Sequence, residues 1–168
     1  ALIQNGNHDE IMKFIKTNQS FRFAPSAAQI FVERGNSEEI MAYIAMRPLA
    51  ERGELALIKR GMHQEILAYV KGHKLYEDAE KALLHRGNSE EILAYLIHRG
   101  DYQEIEKAAK RCAFGFSGEL ELINFGVHRH IMAYIKIRKF NNCAALNAFF
   151  KRKNMDEIEL YKSLYGVK

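Results

Sequence analysis

The chain of 168 residues contains only two cysteines, Cys112 and Cys143, and two prolines. Two thiols so far apart in sequence do not make a disulfide framework. Both lie in a helical pattern, where cysteine acts as a small apolar residue. This cysteine usage favours a reducing compartment such as the cytoplasm. No apolar run approaches the ~20 residues needed to cross a bilayer, so we predict no membrane span.

The sequence also lacks the short motifs of common catalytic and metal sites. It contains no His-Glu-x-x-His, no Cys-x-x-Cys, no Gly-x-Ser-x-Gly and no phosphate-binding loop. Among the seven histidines, His128 and His130 are two positions apart, which directs them to different sides of a helix. We therefore predict no catalytic residue, no metal site and no cofactor.

What the sequence does contain is an internal repeat, which is clearest in the segments 34–44 and 86–96. The first reads Arg-Gly-Asn-Ser-Glu-Glu-Ile-Met-Ala-Tyr-Ile, and the second differs from it at two positions. Weaker copies extend the pattern to six units, each anchored on one residue: Gly6, Gly35, Gly61, Gly87, Gly126 and Lys153. Successive anchors are 29, 26, 26, 39 and 27 residues apart. Since 26 and 39 are multiples of 13, the elementary unit is one helix with its turn, and an extra helix is predicted after Gly100.

The turn between two helices has a recurrent chemistry. An Arg or Lys ends one helix, and glycine follows at the position where a left-handed backbone is favoured. Asn or Asp comes next as the N-cap, with Glu three residues later, in the spacing of a capping box. Five turns contain this pair: Asn7/Glu10, Asn36/Glu39, Asn88/Glu91, Asp101/Glu104 and Asn154/Glu157. The arginines at the helix ends complement the helix dipole and would form a ladder along one edge: Arg34, Arg60, Arg86 and Arg99.

Core positions recur at fixed distances from each anchor. Eight positions before it, in the first helix of a unit, the residue is always small: Ala27, Gly53, Ala79, Gly118 and Ala145. We expect a neighbouring helix to approach closely there. Eight positions after it, in the second helix, the residue is aromatic: Phe14, Tyr43, Tyr69, Tyr95, Tyr134 and Tyr161. The periodicity favours a core ladder, and the other interpretation is a groove in which the tyrosines stack on bases or on a peptide.

Three segments depart from the regular unit. Residues 17–26 exceed the usual spacing by three and contain Pro25, so we predict a loop there. The turn at residues 114–118 departs from the regular turn sequence. It lies where the spacing between anchors changes from two half-units to three. Residues 1–6 match residues 56–61, so the chain opens near the end of a first helix. We expect it to derive from a longer chain with further units.

The segment 5–15 resembles the turn and second helix of an ankyrin repeat, in which a glycine and a polar residue precede an acidic, aliphatic helix. The Thr-Pro-Leu-His opening of that family is absent, and a unit of 26 residues has no room for its hairpin loop. The whole chain is more similar to α-solenoids of the HEAT-like kind with short units. We predict a single all-α domain over residues 1–168, a right-handed solenoid of antiparallel helix pairs. The resemblance implies a binding surface formed by the second helices.

The net charge of +4 is unevenly distributed. Residues 1–106 contain 13 Lys and Arg against 16 Asp and Glu, whereas residues 107–168 contain 12 against 5. One basic set would either form a phosphate-binding face or be a solvated surface with helix-end charges: Lys107, Lys110, Arg111, Arg129, Lys136, Arg138, Lys139, Lys151, Arg152 and Lys153.

We therefore predict a non-catalytic scaffold that binds a protein or a peptide. Contacts would come from the second-helix face and from exposed residues of the variable turns: Asn36, Ser37, Met62, His63, Asn88 and Ser89. The alternative is a nucleic-acid-binding repeat protein that uses the basic C-terminal third. A third hypothesis, an enzyme with a site built across repeats, requires a cleft that holds two or more strongly perturbed acids.

Overall fold

The computed structural model describes residues 2–18, 20–111, 114–141 and 143–167. Within these ranges it contains helices and no strand, so the prediction of an all-α protein is confirmed. None of the described helices is long and apolar enough to cross a bilayer. In chain order the helices are α1 Leu2–Asn5, α2 His8–Thr17, α3 Pro25–Arg34, α4 Ser37–Ile44, α5 Glu51–Arg60, α6 His63–Val70, α7 Glu77–Arg86, α8 Ser89–Arg99, α9 Tyr102–Arg111, α10 Phe116–Phe125, α11 His128–Ile135, α12 Cys143–Lys151 and α13 Met155–Tyr165.

The chain divides into two compact units, residues 1–87 and 88–168. In the first unit the helices pack in two series, α1 with α3, α5 and α7, and α2 with α4 and α6. In the second unit the series are α8 with α10 and α12, and α9 with α11 and α13. Because alternate helices pack on each other within each unit, the protein is a helical-repeat-like all-α structure.

The extra helix predicted after Gly100 is present as α9. Its insertion changes the role of α8, which by sequence is a second helix because it has Tyr95 at the aromatic position. In the second unit α8 packs against α10, a first helix, while α9 packs against the second helix α11. The additional half-unit therefore places α8 in the series of the first helices.

The predicted N-caps are confirmed in all five turns. The backbone N–H of the glutamate three residues on donates to the side-chain oxygen of the cap residue at 2.9–3.3 Å. At Asn7 the reciprocal bond of a capping box is also present, since its N–H donates to Glu10 Oε2 at 3.0 Å. The sequence thus predicts the starts of these helices correctly.

The glycines in the turns have two different structural reasons. A left-handed backbone with φ of 70–75° is present, as predicted, at Gly61, Gly87 and Gly100. The prediction is wrong for Gly6, which has no positive φ, and for Gly35 and Gly126, whose φ values are −59° and −69°. A Cβ atom would lie 2.6 Å from the Phe31 carbonyl oxygen at Gly35, and 2.3 Å from that of Leu122 at Gly126. Glycine is needed at these two positions because the end of the preceding helix comes too close.

The tyrosine row is buried. Its five members are at most 2% exposed: Tyr43, Tyr69, Tyr95, Tyr134 and Tyr161. Phe14, the aromatic residue at the first position of the row, is half-buried against Phe21 and Phe23. The tyrosines are therefore a core ladder, and the interpretation as a groove is wrong.

Three local predictions need correction. Pro25 is the first residue of α3 rather than part of a loop, since a proline at this position lacks only an N–H that has no helical acceptor. In α3 the close contact is made by Ala28 rather than by Ala27, because a Cβ on Gly53 would lie 2.8 Å from the Ala28 Cβ. Cys143 is exposed at the start of α12, whereas Cys112 lies outside the described residues.

Candidate interaction surface

Arginines at the ends of the first helices bond to the neighbouring first helix. The Arg60 guanidinium donates to the carbonyl oxygens of Val32 and, at 2.6 Å, of Gly35, which belong to the C-terminal end of α3. The same relation holds for other arginines in this position: Arg34 with Ile3 and Gly6, Arg86 with Gly61, and Arg152 with Ile123. These residues satisfy carbonyls that a helix end leaves without a partner. These arginines therefore cap the C-terminal end of the preceding first helix in the series.

The first residue of a second helix bonds to a buried glutamate of the next second helix in the series. Examples among the described residues are His8 Nδ1 to Glu39 Oε1 at 2.9 Å, Ser37 Oγ to Glu65, and His128 Nδ1 to Glu157 Oε1 at 3.1 Å. The three glutamates are at most 4% exposed. Because buried carboxylates are costly without hydrogen-bond donors, these bonds stabilise the packing of consecutive second helices.

The hydrogen bond with Glu39 is the main reason that the pKa of His8 is raised from its ordinary value of 6.5. The nearby Glu38 carboxylate, 3.5 Å from His8 Nε2, raises this pKa further. Protonation of His8 therefore strengthens its contact with the carboxylates of α4.

The tyrosine ladder carries a second buried network. The Tyr69 hydroxyl donates to Glu54 Oε1 at 2.6 Å and accepts the Leu49 N–H at 2.9 Å. The other oxygen of Glu54 accepts the Tyr76 N–H at 2.8 Å, just before α7 begins. Burial raises the pKa values of both Glu54 and Tyr69. One carboxyl group thus connects α5, α6 and the start of α7.

The second unit contains the same network. The Tyr134 hydroxyl donates to Glu119 Oε1 at 2.8 Å, and the Asn141 N–H donates to the same carboxylate at 3.1 Å. Glu119 is fully buried in α10. Both buried glutamates therefore have donors on other segments of their own unit, which gives them a structural role.

The turn residues predicted to bind a partner lie at the starts of α4, α6 and α8. Asn36 and Ser37 are exposed, whereas Met62, His63, Asn88 and Ser89 are half-buried. The side chains of Asn36 and Asn88 accept cap bonds, and Ser37 donates to Glu65. Much of the polar chemistry at these positions is therefore used within the fold, and their binding role stays a prediction.

The basic set divides into engaged and exposed residues. Lys107 and Lys110 form ion pairs with Glu104 and Glu106 within α9. Arg138 donates to the Ala109 carbonyl oxygen at 2.7 Å, and Arg152 caps α10 as described above. Six members are exposed and have no ion pair with another described residue: Arg111, Arg129, Lys136, Lys139, Lys151 and Lys153. They belong to both helix series of the second unit, because Lys151 and Lys153 lie at the end of α12.

A shallow groove of about 380 Å³ runs between α9 and α11. Its lining includes Tyr102 and Glu106 from α9, and Arg129, Met132 and Lys136 from α11. Tyr102 is 39% exposed. This groove combines cationic, aromatic and thioether groups on the surface of two adjacent second helices.

The turn between α10 and α11 is an apolar exception among the repeats. Where the turns at residues 34–36 and 86–88 read Arg-Gly-Asn, this one reads Phe125-Gly126-Val127, and its two apolar side chains are 59% and 58% exposed. Met155, at the start of α13, is 60% exposed. The two turns are adjacent, since His128 Nδ1 lies 3.4 Å from Asn154 Nδ2. Our sequence analysis missed these residues, although the departure from Arg-Gly-Asn was the signal that indicated them.

Among the described residues, no group of three or more His, Cys, Asp or Glu side chains is placed to hold a metal ion. Comparison of the chain with protein-family models, with curated proteins and with solved structures finds no match.

Proposed function

We propose that the protein is a non-catalytic scaffold that binds a protein or a peptide. In this proposal the helices form a right-handed α-solenoid of antiparallel pairs of about 26 residues, as the anchor spacing favours. The arginine and His/Ser–Glu bonds join helices of consecutive repeats, and the Tyr–Glu bond joins the two helices of one repeat. Together these bonds support a rigid frame. A preorganised frame lowers the entropic cost of binding.

The observation that carries the proposal is the exposed apolar turn of Phe125 and Val127. Large apolar side chains concentrated on a surface are typical of protein interaction sites. Like the turn at Met62, this turn also lacks a side-chain cap, since Val127 is the N-cap of α11 and offers no side-chain acceptor. A residue that is unfavourable locally and exposed to solvent is expected where a partner covers it.

The second helices of the first unit provide a further apolar surface. Met41 and Met46, in and just after α4, are 37% and 41% exposed. Methionine adapts its shape to different partners, and it is common at binding surfaces that contact several peptides. These residues favour a protein or peptide ligand.

Site-specific photo-crosslinking tests the proposed function. A benzoylphenylalanine at position 125, irradiated in a lysate of the source cells treated with nuclease, is expected to yield a discrete protein adduct. The matched control has the same group at position 74, where Lys74 is exposed in a turn of the first unit. Equal adducts from both positions, or none from position 125, would contradict the proposal. Adducts that disappear on nuclease treatment would support the nucleic-acid alternative instead.

A further inference from the structure

The groove between α9 and α11 has an excess of positive charge. Its anionic member, Glu106, pairs with Lys110 at 2.8 Å, and Lys136 is close enough to lower the Glu106 pKa further. Arg129 has no ion pair with another described residue. Lys110 and Lys136 therefore already act on Glu106, and Arg129 adds a further cation to the lining, which leaves the groove suited to a ligand that brings negative charge.

The position of Arg129 within its helix supports the same conclusion. It lies in the first turn of α11, where the positive end of the helix dipole disfavours a cation. The corresponding residue is acidic in three other second helices, Asp9 in α2, Glu38 in α4 and Asp156 in α13, and it is glutamine in α6 and α9; in none of these five is it a cation. Arg129 is therefore unfavourable at this position and has no ion-pair partner in the described chain. An anion of a bound ligand would stabilise it.

The two cations of α11 that line the groove are separated along the helix. Arg129 and Lys136 are seven positions apart, which corresponds to about 10.5 Å along a helix. Between them, Met132 and Ala133 line the groove, and Tyr102 stands on the side of α9. The groove thus alternates cationic, apolar and cationic chemistry along its length.

We propose that this groove binds an acidic segment of a partner protein, with one carboxylate at Arg129, another at Lys136, and an apolar side chain between them on Met132. The proposal rests on the protein-binding function proposed above and specifies the chemistry of one contact. A phosphate backbone would satisfy the two cations and a base could stack on Tyr102, whereas a nucleic acid offers no aliphatic side chain to Met132. The mixed lining therefore favours a peptide over a nucleic acid.

The separation of the cations predicts the spacing of the acids in the ligand. In an extended peptide, acidic residues three positions apart are separated by about 10 Å. In a helical peptide the same separation corresponds to acidic residues seven positions apart. In both forms an apolar residue lies between the two acids.

Selection from a phage-displayed library of random 12-residue peptides tests the proposal with the whole chain. The bait is the wild-type protein, and selected peptides are then measured by fluorescence anisotropy. The test variant is Arg129→Glu with Lys136→Glu. A second variant, Arg129→Gln with Lys136→Gln, removes the two charges without reversing them and is less disruptive to folding. The charge-matched control is Lys74→Glu with Lys151→Glu, two exposed lysines outside the groove. Circular dichroism verifies that each variant keeps its helical content.

The expected result is an enrichment of peptides with two acids at one of these spacings and an apolar residue between them. Their affinity should fall at least tenfold in both groove variants and stay within twofold in the control. Enrichment without an acidic excess, no enrichment at all, or equal affinity for the groove variants would overturn the proposal. A labelled 20-nucleotide single-stranded RNA is measured in the same assay. RNA binding that is tighter than peptide binding and is lost in the groove variants would also overturn the proposal.

Failure of this groove is distinguishable from failure of the proposed function. If the crosslinked protein adduct at position 125 forms equally with Arg129→Glu/Lys136→Glu and no acidic peptide is selected, the scaffold function stands and the groove assignment is wrong. If neither an adduct nor a peptide is found, both proposals are wrong.

Discussion

The hydroxyl group of Tyr69 donates a hydrogen bond of 2.6 Å to Oε1 of Glu54, fifteen residues earlier in the chain. Tyr134 and Glu119 form the same bond in the second unit at 2.8 Å, again fifteen residues apart. In each unit the carboxyl group also accepts an N–H from the start of the following segment. The buried ladder therefore fixes helix positions by hydrogen bonds as well as by packing.

Removal of the Tyr69 hydroxyl is expected to destabilise the protein. Tyr69→Phe leaves the Leu49 N–H without its acceptor and Glu54 with one donor fewer, in a buried site. The expected cost is about 1–3 kcal/mol, since unsatisfied buried polar groups keep their desolvation penalty. Urea denaturation measures the change in the free energy of unfolding. Tyr102→Phe, at an exposed tyrosine, is the control and should change this free energy by less than about 0.5 kcal/mol; an equal loss in the two variants would contradict the role of the ladder.

The bond between His8 and Glu39 predicts a pH-dependent stability. The folded pKa of His8 is raised above 6.5, mainly by the hydrogen bond with Glu39. Its contribution is therefore fully present below the unfolded pKa and is lost as the pH rises through the higher folded pKa. His8→Ser, which introduces the residue that Ser37 provides in the next repeat, should lower the urea midpoint more at pH ~5.5 than at pH ~8.5.

Ser37→Ala provides the control for this pH dependence. It removes an equivalent bond to Glu65 through a side chain that does not titrate. Its effect on the urea midpoint should be similar at both pH values. A His8→Ser effect that is independent of pH would show that the histidine does not act through its charge.

The close approach of α3 and α5 predicts a steric cost at Gly53. A Cβ in Gly53→Ala would lie 2.8 Å from the Ala28 Cβ and 3.3 Å from its carbonyl carbon. Although alanine is the better helix former, overpacking of this kind costs about 1–3 kcal/mol. Gly72→Ala is the control, because its nearest neighbour in the structure is 3.9 Å away. A thermal unfolding midpoint that falls for Gly53→Ala and stays nearly constant for Gly72→Ala is expected; a gain in midpoint for Gly53→Ala would show that the helices can move apart at no cost.

The sequence predicted the features that depend on short-range chemistry. The N-cap at Asn36, the extra helix after Gly100 and the burial of Tyr69 follow from the local spacing of polar and apolar residues. Such features are encoded within one or two turns of helix, and they are confirmed.

The features that sequence reasoning missed depend on contacts between repeats. The arginine at position 60 bonds to carbonyls of α3, which its own surroundings in sequence do not indicate. Gly35 is the exception, because its contact is local: a side chain there would meet the carbonyl oxygen of Phe31, four residues earlier in the same repeat. The exposed turn at Phe125 was visible only as a departure from the consensus, since exposure depends on how the neighbouring helices end. The positions predicted to bind a partner remain a prediction for the same reason.

The most direct test of the account replaces the apolar turn by the one found elsewhere in the chain. Phe125→Arg with Val127→Asn restores Arg-Gly-Asn and gives α11 an N-cap, so the free energy of unfolding should rise by about 0.5–2 kcal/mol. The same variant should no longer capture the protein partner that crosslinks at position 125. The amount of this partner that tagged wild-type protein pulls down is the reference. Higher stability with lost capture is the result we predict. Higher stability with unchanged capture would show that the exposed apolar turn is not the binding surface.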